Sequence, residues 1–161
     1  AQAPKTYAIG RLVLWSKDEG LIAGDPAVMA GGDFTRLAIA NPKTAPYGVA
    51  AMQIIEALGQ RQALQPKLVR GDNIAQTYQF VMSGNAQLGF IAASQVHGSD
   101  TGSRWVPPPS LYQPIRQDAV LLNRGKDKPA ALAFMAFLDS AAAQKIADRY
   151  GYASEEQKPV P

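Results

Sequence analysis

The chain predicts an α/β fold built on a parallel sheet, and three observations carry that prediction. Short strand-like runs at 37–40, 66–69 and 88–92 alternate with two helical patterns. Each pattern opens on a residue suited to a helix start, Pro46 or Asn73, and each closes on a glycine, Gly59 or Gly84. Strand, helix, strand, helix, strand requires right-handed crossovers, which lay the strands parallel.

The elements follow in order. Leu37, Ala38, Ile39 and Ala40 form a compact apolar run that Asn41-Pro42 ends. Pro46 suits the first helical position, where its missing N–H would have had no intrahelical partner. Ala51, Ile54, Ile55 and Leu58 recur at helical spacing until Gly59 stops the pattern. Pro66-Lys-Leu-Val69 reads as a short strand and Arg70-Gly-Asp72 as a turn. Asn73 is a good N-cap, with Gln76 three residues on in capping-box spacing. Ile74, Tyr78, Val81 and Met82 mark one helical face, and Leu88-Gly-Phe-Ile-Ala92 is a third strand. In parallel sheets ligands lie beyond the carboxyl ends of the strands. The helix starts at Tyr47 and Ile74 should therefore face one crevice, with backbone N–H groups presented to it and no acidic side chain between them. Such termini attract anions without any charged side chain.

The C-terminal third reads as a separate unit. Residues 101–109 are a turn-rich, partly polyproline crossing, and Ala119-Val-Leu-Leu122 is a fourth apolar strand. Asp127 is placed to cap a helix whose Pro129 falls in its first turn. That helix is apolar almost all round (Ala130 to Phe137), which predicts heavy burial. Ser140 opens a last helix that holds Ile146, Ala147 and Tyr150 and ends at Gly151.

Composition sets bounds on function. A chain of 161 residues with 47% hydrophobic and 18% charged residues is long and apolar enough for a proper core. No apolar run approaches the ~20 residues of a membrane span, and residues 1–6 lack the pattern of a signal peptide. With no cysteine, thiolate metal sites and disulfides are excluded. The net charge of +3 leans only slightly toward anionic partners, and the basic residues are too scattered for a nucleic-acid footprint. Lys126-Asp-Lys128 reads as a solvated approach to a helix.

Catalytic chemistry finds little material. The one histidine, His97, sits in Val96-His-Gly-Ser-Asp100, too close in sequence to its serine and aspartate for a triad, whose members converge from separate elements. No Walker loop, GxGxxG or GxSxG occurs. One histidine without cysteine is poor material for a metal site, and the tyrosines and tryptophans are too dispersed for a stacking platform.

Several segments together resemble a known family. They are Arg11-Leu-Val-Leu-Trp-Ser16, Leu37-Ala-Ile-Ala-Asn-Pro-Lys-Thr-Ala-Pro-Tyr-Gly48, Pro66-Lys-Leu-Val69, Gly71-Asp-Asn-Ile-Ala-Gln-Thr-Tyr-Gln-Phe80, Gly84-Asn-Ala-Gln-Leu-Gly-Phe90, Pro114-Ile-Arg-Gln-Asp-Ala-Val-Leu-Leu122 and Arg149-Tyr-Gly-Tyr152. In order and spacing, from about Tyr7 to Tyr152, they are similar to the periplasmic molybdate-binding proteins of ABC importers, the ModA family of type II binding proteins. The resemblance implies a periplasmic-binding-protein-like lobe with a mainly parallel sheet flanked by helices, plus a C-terminal strand and two helices belonging to the other lobe. Residues 7–116 would be the second lobe, 117–152 the return segment of the first, and 153–161 a tail.

It also implies a site and a role. The backbone N–H groups of Tyr47 and Ile74 would be oxyanion donors, with Pro46, Gly48 and Asn73 shaping the two turns. The ligand would be molybdate or tungstate, with no cofactor, held in the periplasm for a membrane ABC permease. Two departures bear on this. Family members begin with a long N-terminal half carrying two serine- or threonine-bearing loops that complete the anion shell, and nothing in this sequence corresponds to it. Ala92 stands where some members place a tyrosine, so a phenolic contact from that position is absent and the Tyr47 side chain is placed to fill part of the space. The expectation is therefore weak binding by this chain alone, and an apolar C-terminal face left exposed or covered by a dimer. The alternative is an interaction or structural module derived from such a lobe that no longer binds a ligand.

Overall fold

The computed structural model describes residues 3–154 of the chain. Its strands are β1 (Lys5–Gly10), β2 (Leu12–Ser16), β3 (Leu37–Ala40), β4 (Leu68–Gly71), β5 (Leu88–Ala92), β6 (Ser103–Trp105) and β7 (Ile115–Ala119). Its α-helices are α1 (Ala27–Gly31), α2 (Pro46–Ala57), α3 (Arg61–Leu64), α4 (Ile74–Met82), α5 (Pro129–Phe137) and α6 (Ala141–Arg149). Among the described residues they fall into two compact units, Leu12–Gln113 and a second made of residues 3–11 with 114–154.

The larger unit is an α/β layer structure around one five-stranded sheet, in the order β4-β3-β5-β2-β6. The parallel core expected from the sequence is β4-β3-β5: Leu37 pairs with Leu68, Ala40 with Gly71, and Leu37 again with Leu88. Strand β2 joins β5 antiparallel, Leu12 opposite Ala92, and β6 joins β2 antiparallel. The whole sheet is thus mixed, with its parallel part at the β4 side.

The crossovers explain where the helices go. From β3 the chain steps outward to β4 through α2 and α3, then back past β3 to β5 through α4. Right-handed connections in opposite directions place α2 and α4 on opposite faces. Side-chain parity agrees. Val13, Trp15, Ala38 and Ile91 cluster with Val81 of α4, and Tyr78 packs against that cluster with its ring 5.7 Å from that of Trp15. Leu14, Leu37, Ile39, Leu88 and Phe90, of opposite parity, are fully buried and turn to the other face. There α2 packs on β3, β5 and β2 through Ala51, Ile54 and Ile55. Strands buried on both faces read as continuous apolar runs, which is why the sequence shows no alternation at 37–40 or 88–92.

Two boundaries differ from expectation. Pro66 and Lys67 belong to a 3-10 turn, Gln65–Lys67, and the strand runs from Leu68 to Gly71. The register explains the shift, because β3 extends only from Leu37 to Ala40 and so pairs only residues 68–71. Within residues 101–109, Ser103–Trp105 forms a strand, recruited by Leu14, Trp15 and Ser16.

In the smaller unit β1 and β7 pair antiparallel, Lys5 opposite Ala119 and Gly10 opposite Ile115. Thr6 Oγ1 donates to Asp118 Oδ1 at 2.7 Å. The fourth strand is therefore Ile115–Ala119, not 119–122. Lys5 is the last residue of β1 on that side, so the apolar residues beyond Ala119 have no ladder to join. Ile9 and Ala153 exchange backbone hydrogen bonds at 2.8 and 2.9 Å, so Ala153, expected in the tail, is paired. Tail residues 155–161, beyond Ser154, lie outside the described residues. Ser140 caps α6 as expected, accepting from Ala143 N–H at 3.2 Å. Asp127 does not cap α5: the N-cap is Lys128, with no side-chain cap bond, and Pro129 takes the first helical turn. Lys126, Asp127 and Lys128 are all exposed, as a solvated approach requires. The heavy burial expected of α5 is not found. None of its residues is buried, and Leu132, Phe134 and Phe137 are 44%, 59% and 43% exposed. A two-stranded ladder and one further helix offer too little surface to cover a helix that is apolar all round.

The two apolar helices should therefore respond oppositely to truncation. Ile54→Ala, which empties a fully buried position, should cost ~2–5 kcal/mol. Phe134→Ala should stay within about 0.5 kcal/mol. Urea unfolding of each variant checks the contrast, and a large loss for Phe134→Ala would mean that α5 is covered in solution.

Candidate functional site

The carboxyl ends of β3 and β4 lie side by side, and their connections lead to opposite faces of the sheet. This is the position at which open α/β sheets form a ligand crevice. Asn41, the first residue past β3, donates its N–H to the carbonyl of Gly71 at 2.8 Å, tying the two strand ends together. Asn41 also folds its own loop. Its side-chain oxygen accepts from Lys43 N–H at 3.1 Å, and its carbonyl accepts from Thr44 and Ala45 N–H at 3.1 and 2.9 Å.

That loop delivers α2. Ala45 is extended (φ −127°, ψ 122°) and Pro46 occupies the first turn. Gly48 and Val49 donate to Ala45 C=O at 2.9 and 3.2 Å, and the amide of Tyr47 lies ahead of those first helical bonds. Gly48 is buried, and a methyl group there would strike the carbonyl of Ala40 and approach Pro42 N to 2.8 Å. Only glycine lets the helix start press onto the strand end.

Helix α4 starts by the same means. Asn73 is extended (φ −150°, ψ 174°), and its Oδ1 accepts from Gln76 N–H at 2.9 Å. The return bond of the capping box is displaced by one residue, since Gln76 Oε1 accepts from Asp72 N–H at 2.6 Å. Thr77, fully buried, donates both its N–H (3.1 Å) and its Oγ1 hydroxyl (2.9 Å) to Asn73 C=O. Ile74 is the first helical residue, ahead of all these bonds. Gly71 repeats the role of Gly48: a methyl there would lie 2.8 Å from both Thr77 N and Thr77 Oγ1.

The end of β5 completes the edge. Gln95 Oε1 accepts from Ala92 N–H at 2.9 Å, and its Nε2 donates to Ile74 C=O at 3.2 Å. Neither helix has an acidic residue in its first turn, and Asp72, one residue before the cap, is exposed. Each terminus therefore presents roughly half a positive charge, with no carboxylate in the first turn to offset it. Among the described residues no group of three or more His, Cys, Asp or Glu is arranged to hold a metal ion. His97 lies on an exposed turn between the β5 end and β6.

All five residues singled out from sequence, Pro46, Tyr47, Gly48, Asn73 and Ile74, thus stand at two helix starts on neighbouring strand ends. Sequence reasoning missed Asn41, Gly71 and Gln95 as builders of this edge. Asn41 carried a usable signal, a polar residue immediately after an apolar run, and Gly71 a fainter one, a glycine with only Arg70 between it and the strand read at 66–69. Gln95 carried none, because its partner Ile74 is 21 residues away.

Comparison with known proteins places this architecture. The model of the bacterial extracellular solute-binding protein family matches residues 1–153. The chain belongs to that family. Among solute-binding proteins it is 52% identical over 150 residues to the molybdate-binding protein ModA of Azotobacter vinelandii, covering 91% of this chain and 60% of the relative. To ModA of Rhodobacter capsulatus it is 48% identical over 150 residues, covering 93% and 59%. The chain thus spans about three fifths of the length of these curated relatives. The solved structure of the Azotobacter vinelandii periplasmic molybdate-binding protein superimposes with a TM-score of 0.88 at 37% identity, covering 94% of this chain and 68% of that one. The ModA resemblance read from the motifs and the binding-protein fold are both borne out.

The close approach at the first helix start is open to a direct check. Gly48→Ala should destabilise by ~1–3 kcal/mol through overpacking. Asn73→Ala should cost ~0.5–2 kcal/mol for the lost cap, with Asn73→Ser close to neutral. Urea midpoints of the three variants decide the matter, and a silent Gly48→Ala would mean that α2 sits farther from Ala40.

Proposed function

We propose that this chain supplies one lobe of a binding protein that captures a tetrahedral oxyanion, molybdate or tungstate, in the periplasm and presents it to a membrane ABC permease. The observation that carries the reading is the pair of helix starts at Tyr47 and Ile74, on adjacent strand ends, in a family member similar to molybdate-binding proteins. Neutral backbone donors suffice for such a task, since hydrogen bonds to an ionised acceptor are about twice as strong as neutral ones. The role is binding, without a cofactor and without catalysis. In this reading the second lobe, expected from the motifs at 7–116, is the unit Leu12–Gln113, and the return segment of the first, expected at 117–152, is the unit in which β1 pairs with β7.

Taken alone, the 161 residues bind weakly in this reading. An ion held by one lobe stays half in water, where each charged contact contributes ~1.5–3 kcal/mol. Two or three such contacts scarcely offset the ~4 kcal/mol or more lost on immobilising a ligand. The exposed apolar side chains of α5 and α6 (Leu132, Phe134, Phe137 and Ile146) support a covering polypeptide, supplied by further chain or by a second copy.

Calorimetry of the isolated chain should give a millimolar or weaker constant for molybdate, and a micromolar constant would overturn the one-lobe reading. Ile74→Pro tests the donor itself. Proline is tolerated at the first helical position, and the extended backbone of Asn73 is what a residue before proline adopts. The substitution should remove the N–H with the helix intact and abolish residual binding, whereas Ile74→Val should be nearly silent. Equal loss in both would mean that the side chain, not the amide, holds the ion.

A further inference from the structure

We infer that Gln95 is the positioning residue that sets the α4 helix start relative to the rest of the anion site, and so governs discrimination among oxyanions of different size. The inference rests on the proposed oxyanion reading. Its basis is the two-ended use of one amide. Gln95 Oε1 accepts from Ala92 N–H, the last backbone donor of β5, while Nε2 donates to Ile74 C=O in the first turn of α4. The amide cannot be turned over, since that would set NH₂ against N–H and oxygen against carbonyl. Gln95 is half-buried and lies in the turn that follows β5.

This tie differs from the other devices at the edge. Asn73, Gln76 and Thr77 organise α4 internally, and Gly71 lets it approach its own strand. Gln95 alone among these residues fastens the Ile74 turn to a different strand of the sheet. Oxyanions share charge and tetrahedral shape and differ mainly in radius. Donors held at a fixed separation favour one radius, and donors free to shift accommodate several. Loss of the tie should therefore cost selectivity before it costs fold.

The experiment compares the parent chain with Gln95→Ala, Gln95→Asn and Gln95→Glu. Amide chemical shifts of Tyr47 and Ile74 are followed by NMR during titration with molybdate and, separately, with sulfate. Hydrogen exchange at Ala92 N–H and thermal melting are measured without ligand. For the parent, molybdate should perturb both amides more strongly than sulfate does. In Gln95→Ala the ratio of the two apparent constants should fall about threefold or more, with Ala92 exchange at least tenfold faster. Gln95→Glu keeps the bond to Ala92 but sets an oxygen against Ile74 C=O, so it should preserve Ala92 protection and still lose selectivity. Gln95→Asn is too short to reach both partners and should behave like alanine. A lowered melting temperature with an unchanged molybdate-to-sulfate ratio would overturn the inference and leave the oxyanion reading intact. No perturbation of Tyr47 or Ile74 in the parent at saturating molybdate would overturn that reading, and the selectivity claim with it. Unaltered Ala92 exchange in Gln95→Ala would refute the tie itself, whatever the ligand data.

Discussion

The carboxyl edge of the sheet depends on close approach of backbone to backbone. Asn41 N–H reaches Gly71 C=O, α2 rests on Ala40 where Gly48 has no side chain, and α4 rests on β4 where Gly71 has none. Each contact fixes a helix start to within the length of a hydrogen bond, and together they hold two helices that run on opposite faces. Larger side chains at either glycine would prop a helix away from its strand and separate the two starts. The buried residues beneath, Ile54 and Ile55 on one face and Val81 on the other, keep the helices from rocking about those contacts.

The two units rest on different physics. In the larger one, fully buried strands sandwiched by helices supply a core that includes Trp15, Phe90 and six or more aliphatic side chains. The smaller one is held by a short antiparallel ladder, the Ile9–Ala153 pairing and an ion pair between Lys5 and Asp139. The ion pair is exposed, and pairs of that kind contribute little. Its two helices are largely uncovered and leave Leu132, Phe134, Phe137 and Ile146 exposed.

How much of this was legible in the sequence varied with the range of the interaction that decides each element. Pro46, Asn73, Gly59 and Gly84 act within a few residues, and the starts and stops they announced for α2 and α4 match the structure to within a residue or two. Strand β6 has three residues and exists because β2 pairs with it, so nothing local revealed it. The extent of β7 is set by Lys5, 114 positions from its partner Ala119, and the apolar run at 119–122 therefore pointed to the wrong residues. Helix α5 misled for a related reason: hydrophobicity all round a helix forecasts burial only where another surface is present to provide it. At the candidate site, the residues that make a turn were readable, and Gln95, which joins two turns, was not.

The proposed use of main-chain donors has a consequence for how such an edge would tolerate change. The amides at positions 47 and 74 are carried by every residue except proline, so their side chains are free to vary in size and polarity without deleting a donor. Constraint falls instead on Gly48, Gly71 and Asn41, which carry no charge and announce no chemistry. Drift at the visible positions and fixity at the inconspicuous ones would keep the two helix starts in place with little recognisable signature, and the electrostatics of the helix ends would stay as they are whatever side chain stands at Tyr47.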